Sequence, residues 1–164
     1  MELPPKTESG PVAWPSWEKG SVETSYYERL SAQDSSFVRF DAGRGLLTIG
    51  AVAVFEPQAT GSDALDIERF RNHVASRLHL LPRYRQCLYE TPFQGHPIWV
   101  DDQRFDLTHH VRSCAVSAPG DDEQLKALAG MIASRPLDLA RPLWELWLVE
   151  GLADRRYAVI AKIH

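Results

Sequence analysis

Histidine changes charge near neutral pH, so its positions show where proton transfer or metal binding could occur. The sequence contains a pair, His109 and His110, and a single His164 directly after the apolar run at residues 157–163. His109, His110 and Cys114 can be imagined as metal ligands, but their spacing matches no common zinc site. We therefore expect no bound metal.

Aromatic and basic residues suggest ligand binding. Trp144 and Trp147 are three residues apart in a strand-like run, which directs their side chains to opposite faces of the strand. One of them could line an apolar channel, although core packing together with Leu143 is the simpler explanation. Four arginines could either bind phosphate groups or occupy solvated surface: Arg83, Arg85, Arg135 and Arg141.

Composition argues against several classes of function. The 164 residues carry 18 Lys and Arg against 22 Asp and Glu, so there is no basic field to hold nucleic acid. No apolar run approaches the ~20 residues of a membrane-spanning helix. The N-terminus lacks the apolar segment of a signal peptide. We therefore expect a cytoplasmic protein that binds no nucleic acid.

Hydrophobic patterns predict alternating strands and helices. Residues 46–55 (LLTIGAVAVF) are apolar on both faces, which is typical of a buried central strand. Residues 62–66 offer capping side chains for an amphipathic helix that reaches Leu78. The other predicted elements are strands around residues 85–89 and 98–100 and a helix between Asp121 and Pro136.

The end of the sequence is predicted to form a β-hairpin. Residues 143–152 and 156–164 are strand-like runs that a short polar turn separates. The second run reaches His164 without a stop signal, so we expect the sequence to end within a structural element. We also expect residues 157–163 to form an open edge strand, which a further polypeptide segment must cover to prevent aggregation.

These elements predict an α/β fold with a mixed sheet flanked by helices. Residues 1–27 contain several prolines and glycines and are predicted to be an N-terminal extension. Residues 28–164 are predicted to form the folded body.

Three tracts of the body occur in a defined order. They are residues 30–37 (LSAQDSSF), residues 80–112 with LLPRYRQ, WVD, FDL and HVR, and residues 141–145 (RPLWE) followed by KIH at the end of the hairpin. This ordered set resembles the bacterial wax ester synthase/diacylglycerol acyltransferase family. The resemblance covers residues 29–164 and implies the N-terminal subdomain of a chloramphenicol acetyltransferase-like fold.

The resemblance implies an O-acyltransferase of wax ester or triacylglycerol synthesis. Such an enzyme moves a long acyl group from acyl-CoA, a co-substrate rather than a cofactor, to a fatty alcohol or diacylglycerol. His164 falls on the first histidine of the family motif His-His-x-x-x-Asp-Gly, and the general base would be the next residue. An orienting role is implied for His164, against the alternative of a strand-end histidine with no role. The implied substrate-binding residues are Pro142, Leu143, Trp144 and Trp147.

The resemblance also predicts a role for His110 of the histidine pair and indicates the partners of the protein. His110 fits the family tract Phe-Asp-Leu-x-x-His-Val, where a structural contact is expected. The expected partners are the two substrates and the remaining C-terminal segment of the same enzyme. Lipid substrates are compatible with peripheral association with a membrane or a lipid droplet.

Two other functions are left open by the sequence. Polyketide-associated and condensation-type acyltransferases share the histidine motif but use carrier-protein thioesters, and a non-catalytic binding module is the other alternative. The residues encoded after His164 discriminate the binding module from the enzymes, because the enzyme interpretation requires His-x-x-x-Asp-Gly there.

Overall fold

The computed structural model describes residues 28–41, 48–56, 66–90 and 97–164, and the predicted extension at residues 1–27 lies outside these ranges. The strands are β1 (Glu28–Arg29), β2 (Ile49–Phe55), β3 (Gln86–Tyr89), β4 (Ile98–Asp101), β5 (Val111–Ala115), β6 (Trp144–Glu150) and β7 (Tyr157–Ile163). The α-helices are α1 (Ala32–Asp41), α2 (Ile67–Ala75), α3 (Leu107–His110) and α4 (Asp122–Ser134). Short 3-10 helices occupy Leu78–Leu80, Pro82–Arg85 and Ala153–Arg155.

A mixed four-stranded sheet with the order β2-β7-β6-β5 forms the centre of the fold. β6 and β7 are antiparallel, with Trp144 opposite Ile163, which confirms the predicted hairpin. β5 and β6 are parallel, because the chain between them crosses over through α4. The predicted α/β fold with a mixed sheet is therefore confirmed.

The predicted positions of two strands in this sheet were wrong. β2, expected as a buried central strand, lies at the edge of the described sheet, and all seven of its residues are exposed. β7, expected as an open edge, is paired with β2 on one side and β6 on the other. Both runs are apolar and of equal length, so hydrophobicity alone does not determine their order in the sheet.

Helices α4 and α2 pack on opposite faces of this sheet. On one face, Leu125 and Ile132 of α4 contact Val149 and Ile160. The N-terminus of α4 is fixed by a reciprocal capping box between Asp121 and Gln124, at the point where the sequence predicted this helix to begin.

On the other face, α2 packs against a smaller cluster that contains Val111 and Trp144. The carboxylate of Asp66 caps α2 by accepting a 2.7 Å hydrogen bond from the backbone N–H of Arg69. The helix is shorter than predicted, because Leu78 lies in a 3-10 turn after the helix ends at Ala75.

A second, three-stranded antiparallel sheet has the order β1-β4-β3. It places Trp99 of β4 opposite Glu28 of β1 and opposite Leu88 of β3. The 3-10 turn at Pro82–Arg85 leads into this sheet and carries Tyr84 to the end of β6, where the backbone oxygen of Tyr84 accepts a 2.8 Å hydrogen bond from the indole of Trp144. The two sheets therefore meet at the start of β6.

Replacement of Gly151 by alanine is predicted to destabilise the fold by roughly 1–3 kcal/mol. Gly151 has φ of +83°, and an added Cβ would lie 2.5 Å from the backbone oxygen of Val116. Gly130 provides the matched control, because a Cβ there meets nothing within 4 Å and the residue lies inside α4. Gly130→Ala should stabilise by about 0.5–1 kcal/mol. Urea denaturation of both variants measures the difference, and equal stabilities would contradict this account of Gly151.

Candidate active site at the end of strand β7

A pocket of about 390 Å³ opens where the end of β7 meets the three-stranded sheet. Seven of its lining residues are Leu30, Arg83, Tyr84, Trp99, Leu143, Trp144 and His164. The wall beside His164 is largely apolar, whereas Glu28, Arg29 and Asp34 add charged groups on the side of β1 and α1. The pocket can therefore accept a molecule with both an apolar and a polar part.

His164 is positioned by the backbone of the hairpin. It directly follows β7, and its N–H donates a 3.0 Å hydrogen bond to the backbone oxygen of Leu143. This bond continues the ladder that pairs Ile163 with Trp144. The side chain lies half-buried against the pocket. A histidine placed in this way stands at the end of a rigid strand rather than on a loop.

Trp144 belongs both to the core and to the pocket. Only 3% of its surface is exposed, and its indole N–H donates to the oxygen of Tyr84 at 2.8 Å. Its ring stacks on His110 at 4.7 Å between centroids and tilts against Tyr84 at 5.3 Å. The two explanations of this residue, core packing and a channel wall, are therefore compatible.

The structure brings together only part of the predicted substrate-binding set. Leu143 and Trp144 line the pocket with His164, whereas Pro142 is buried and Trp147 faces the α4 side of the sheet. The indole of Trp147 donates to Glu145 at 2.9 Å, and the Arg112 guanidinium lies 5.2 Å from its ring centroid. Substrate contacts by all four residues stay predictions.

Arg83 and its neighbours form a polar side of the pocket that the sequence indicated only in part. Arg83 pairs with Glu28 and lies 4.5 Å above the centroid of the Trp99 ring. A second nitrogen of this guanidinium, Nη1, is enclosed and has no hydrogen-bond partner among the described residues. The sequence left Arg83 as either a phosphate contact or a solvated surface residue, and it did not indicate Glu28 and Trp99. Strand pairing places Glu28 opposite Trp99, and the 3-10 turn brings Arg83 to both of them.

The other arginines named from the sequence lie outside this pocket. Arg141 pairs with Asp138 at 3.2 Å, and the Arg85 guanidinium lies 5.6 Å from the ring centroid of Phe105. Arg135 follows the C-terminus of α4. Of these four arginines, Arg83 is therefore the one that lines the pocket.

His110 makes a structural contact, as expected. It is 3% exposed, its Nδ1 lies 2.9 Å from the backbone oxygen of Trp144, and its ring is stacked between Trp144 and Phe105. Burial lowers the pKa of His110 below its ordinary value, and the positive charges of Arg141 and His109 act in the same direction. The neutral ring therefore donates its Nδ1 proton to the carbonyl oxygen of Trp144.

The histidine pair and the two cysteines do not come together in a common site. Exposed His109 faces Asp106 at 3.7 Å, while the half-buried Cys87 and Cys114 are unpaired. Burial raises the pKa of both thiols, which favours the unreactive protonated form.

Among residues 28–41, 48–56, 66–90 and 97–164, no three acidic, histidine or cysteine side chains cluster as metal ligands. The same part of the chain contains no helix capable of spanning a bilayer.

Solved structures define the class of this fold. The starter condensation domain of rhizomide synthetase matches with a TM-score of 0.64 and 14% identity, over 85% of this chain and 32% of that chain. The wax ester synthase/diacylglycerol acyltransferase from Marinobacter aquaeolei VT8 matches with a TM-score of 0.71 and 28% identity, over 84% of this chain and 34% of that chain. The fold is therefore of the chloramphenicol acetyltransferase-like class, as predicted.

Sequence comparison identifies the family within this class. The model of the wax ester synthase/diacylglycerol acyltransferase catalytic domain matches residues 30–164. The chain therefore belongs to this family, as the ordered tracts indicated.

Curated relatives carry acyltransferase names. A probable diacylglycerol O-acyltransferase of Mycobacterium tuberculosis, tgs3, is 42% identical over 137 residues, which are 83% of this chain and 49% of the relative. A second from the same organism, tgs1, is 42% identical over 138 residues, which are 82% of this chain and 29% of the relative. The chain thus spans about half of one relative and less than a third of the other.

Replacement of His110 by phenylalanine is predicted to remove part of the acid sensitivity of folding. The unfolded histidine binds a proton near pH 6.5, whereas the folded one does so only at lower pH. Wild-type stability therefore falls as the pH drops through and below 6.5, until the folded pKa is reached. His110→Phe keeps the stacked ring but leaves the Trp144 oxygen unsatisfied, at a cost of roughly 1–3 kcal/mol at neutral pH.

The measurement is urea denaturation of both proteins between pH 7.5 and pH 5. His109→Phe is the control, because its imidazole is exposed and outside the stack. An unchanged slope of stability against pH in His110→Phe would show that His110 does not fold in the neutral form.

Proposed function

We propose that this chain is the N-terminal part of an O-acyltransferase that moves a long-chain acyl group from acyl-CoA to a fatty alcohol or diacylglycerol. The observation that carries the proposal is the placement of His164 at the end of β7, beside a pocket walled by Leu143 and Trp144. Family membership and the names of the mycobacterial relatives support the same activity. The products would be a wax ester or a triacylglycerol.

The reaction needs a base because an alcohol is a weak nucleophile. In the proposed reaction the histidine after His164 takes the hydroxyl proton while the alcohol oxygen attacks the thioester carbonyl carbon. The tetrahedral intermediate then expels the CoA sulfur, which takes the proton from that histidine and leaves as a thiol. His164 orients the motif, and no acyl-enzyme, metal or other cofactor is required.

The pocket supports binding of an amphipathic substrate. The apolar wall at Leu143 and Trp144 suits a hydrocarbon chain, and the enclosed Nη1 of Arg83 suits an acceptor oxygen of the polar part. A carrier-protein thioester remains the alternative donor, and the condensation-domain structure, at 14% identity, bears on fold alone. Because the substrates are lipids, we also propose a cytoplasmic enzyme that associates peripherally with membranes or lipid droplets.

The exposed apolar side chains of strand β2 favour a further polypeptide segment that packs against this subdomain. Ile49, Val52, Val54 and Phe55 are each at least 41% exposed in an almost wholly apolar strand. Val52 and Val54 also border an apolar groove of about 350 Å³ against α4. The matched relatives extend well beyond the part that this chain covers. We propose that the remaining C-terminal segment of the enzyme covers this strand.

Replacement of His164 by alanine in the complete enzyme is predicted to lower kcat by about tenfold or more without abolishing turnover. Loss of the orienting side chain misplaces the neighbouring base, whereas loss of the base itself should cost on the order of 10²–10⁴-fold. The assay follows CoA thiol release from acyl-CoA with ester analysis by mass spectrometry. The matched control is His109→Ala, since His109 is exposed and outside the pocket.

Two results would contradict the proposed function. A wild-type enzyme that forms ester from a carrier-protein thioester but not from acyl-CoA would favour the condensation-type alternative. A protein that binds lipid without releasing thiol under any of these conditions would favour the binding module.

Replacement of Ile49 by aspartate is predicted to destabilise the complete enzyme by about 3 kcal/mol or more, because a charge would be buried beneath the covering segment. Ile49 is 76% exposed among the described residues and lies outside the groove that Lys126 and Arg156 line. Thermal denaturation checks this expectation, with Gln103→Asp, which adds the same charge at an exposed turn, as the control. If Ile49→Asp melts with the wild type, β2 is not covered by the rest of the enzyme.

A further inference from the structure

Lys162 occupies a position in β7 where the pattern of the strand calls for an apolar residue. Ala158, Ile160 and Lys162 alternate onto the α4 face of the sheet and are 0%, 3% and 1% exposed. The first two belong to the core cluster of that face. An ammonium group at such a site is costly unless polar partners compensate for the loss of water.

The partners of Lys162 are the carbonyl groups at the end of α4. Its Nζ donates a 3.0 Å hydrogen bond to the backbone oxygen of Ile132 and a second bond to that of Arg135. Helix α4 ends at Ser134, and Pro136 follows its C-cap, so these carbonyls belong to the last turn and the cap, where intrahelical donors run out. The Ile132 oxygen otherwise accepts only a long bond, 3.4 Å, from the backbone N–H of Arg135 among the described backbone contacts. A positive charge is favoured there by the helix dipole as well.

The neighbours of Lys162 in the sheet complete its surroundings. Glu145 of β6 lies directly opposite it in register, and Gly50 of β2 lies opposite on the other side without a side chain. Glu145 also accepts from the Trp147 indole and lies 3.9 Å from Arg112. The lysine side chain therefore connects β7 to α4 at one end of the sheet, beside its register neighbour Glu145 in β6.

The position of Lys162 in β7 brings its hydrogen bonds to α4 close to His164. Lys162 precedes His164 by two residues, and the backbone N–H of His164 is bound to the Leu143 oxygen at 3.0 Å. The end of the strand is therefore held by the β6 backbone and by a side-chain anchor to the end of a helix. A shift of α4 relative to β7 would be transmitted to the histidine motif.

We propose that Lys162 is a positioning residue for the histidine motif, which it holds in place by anchoring the end of β7 to the C-terminus of α4. This role rests on the proposed acyltransferase function and adds a residue that acts without touching substrate. Because a displacement of about 1 Å at a reacting centre can cost roughly 100-fold in rate, loss of the anchor should affect turnover more than binding.

The test compares three variants of the complete enzyme. Lys162→Met keeps the length and apolar stem of the side chain but removes the charge and the donors. Lys162→Arg keeps both and serves as the conservative rescue. Lys126→Met removes an exposed lysine of α4 that pairs only with Glu123 among the described residues, and serves as the matched control.

The expected result is a loss of roughly 10- to 100-fold in kcat for Lys162→Met, with KM within about twofold of wild type. Lys162→Arg should recover a measurable part of this loss, and Lys126→Met should behave as wild type. If Lys162→Met does not fold, Lys162→Gln, which keeps amide donors, is judged by the same criteria. A folded variant with unchanged kcat, or with kcat, KM and melting temperature impaired together, would overturn the positioning role.

Amide hydrogen exchange separates this inference from the proposed function. Loss of the anchor should accelerate exchange at residues 160–164 of Lys162→Met, including the His164 amide, and should not do so in Lys126→Met. If wild type has no acyltransferase activity, the proposed function fails, and exchange alone then decides whether Lys162 holds the end of the strand. Unchanged exchange in Lys162→Met would refute the anchor.

Discussion

Strand β7 is hydrogen-bonded along both edges, to β6 on one side and to β2 on the other. A strand with two neighbours cannot change register without breaking both ladders and moving every side chain to the wrong face. Ile160 stays against α4 and Ile163 against the cluster of α2 only in the observed register. His164 inherits its position from this constraint, because its backbone continues the same ladder to Leu143.

Trp144 connects this strand system with the second sheet. The indole N–H binds the Tyr84 carbonyl, while the Trp144 carbonyl accepts from His110. Two distant parts of the sequence are thus tied to a single residue beside the pocket. Each of these polar groups is buried or partly buried, so losing one partner would leave the other without compensation. The same contacts that stabilise the core therefore fix the wall of the site.

The subdomain leaves an apolar strand uncovered. β2 satisfies one of its edges by pairing with β7, but its side chains remain exposed in the described part of the molecule. Exposed apolar strands at sheet edges invite association with other chains. The family relatives are longer than this chain, and a core shared with a further segment would explain why this strand is apolar on both faces.

The sequence by itself determined the hairpin, the two amphipathic helices, the mixed α/β class and, through ordered tracts, the family. These features depend on local periodicity, capping residues and turns, which a sequence displays directly. It did not determine that β7 is interior and β2 is at the edge, because both are short runs of mostly apolar residues. It also could not place Glu28 and Trp99 beside Arg83, or Lys162 at the end of α4. Only the tertiary structure decided these contacts, since they join residues far apart in sequence through strand order and helix packing.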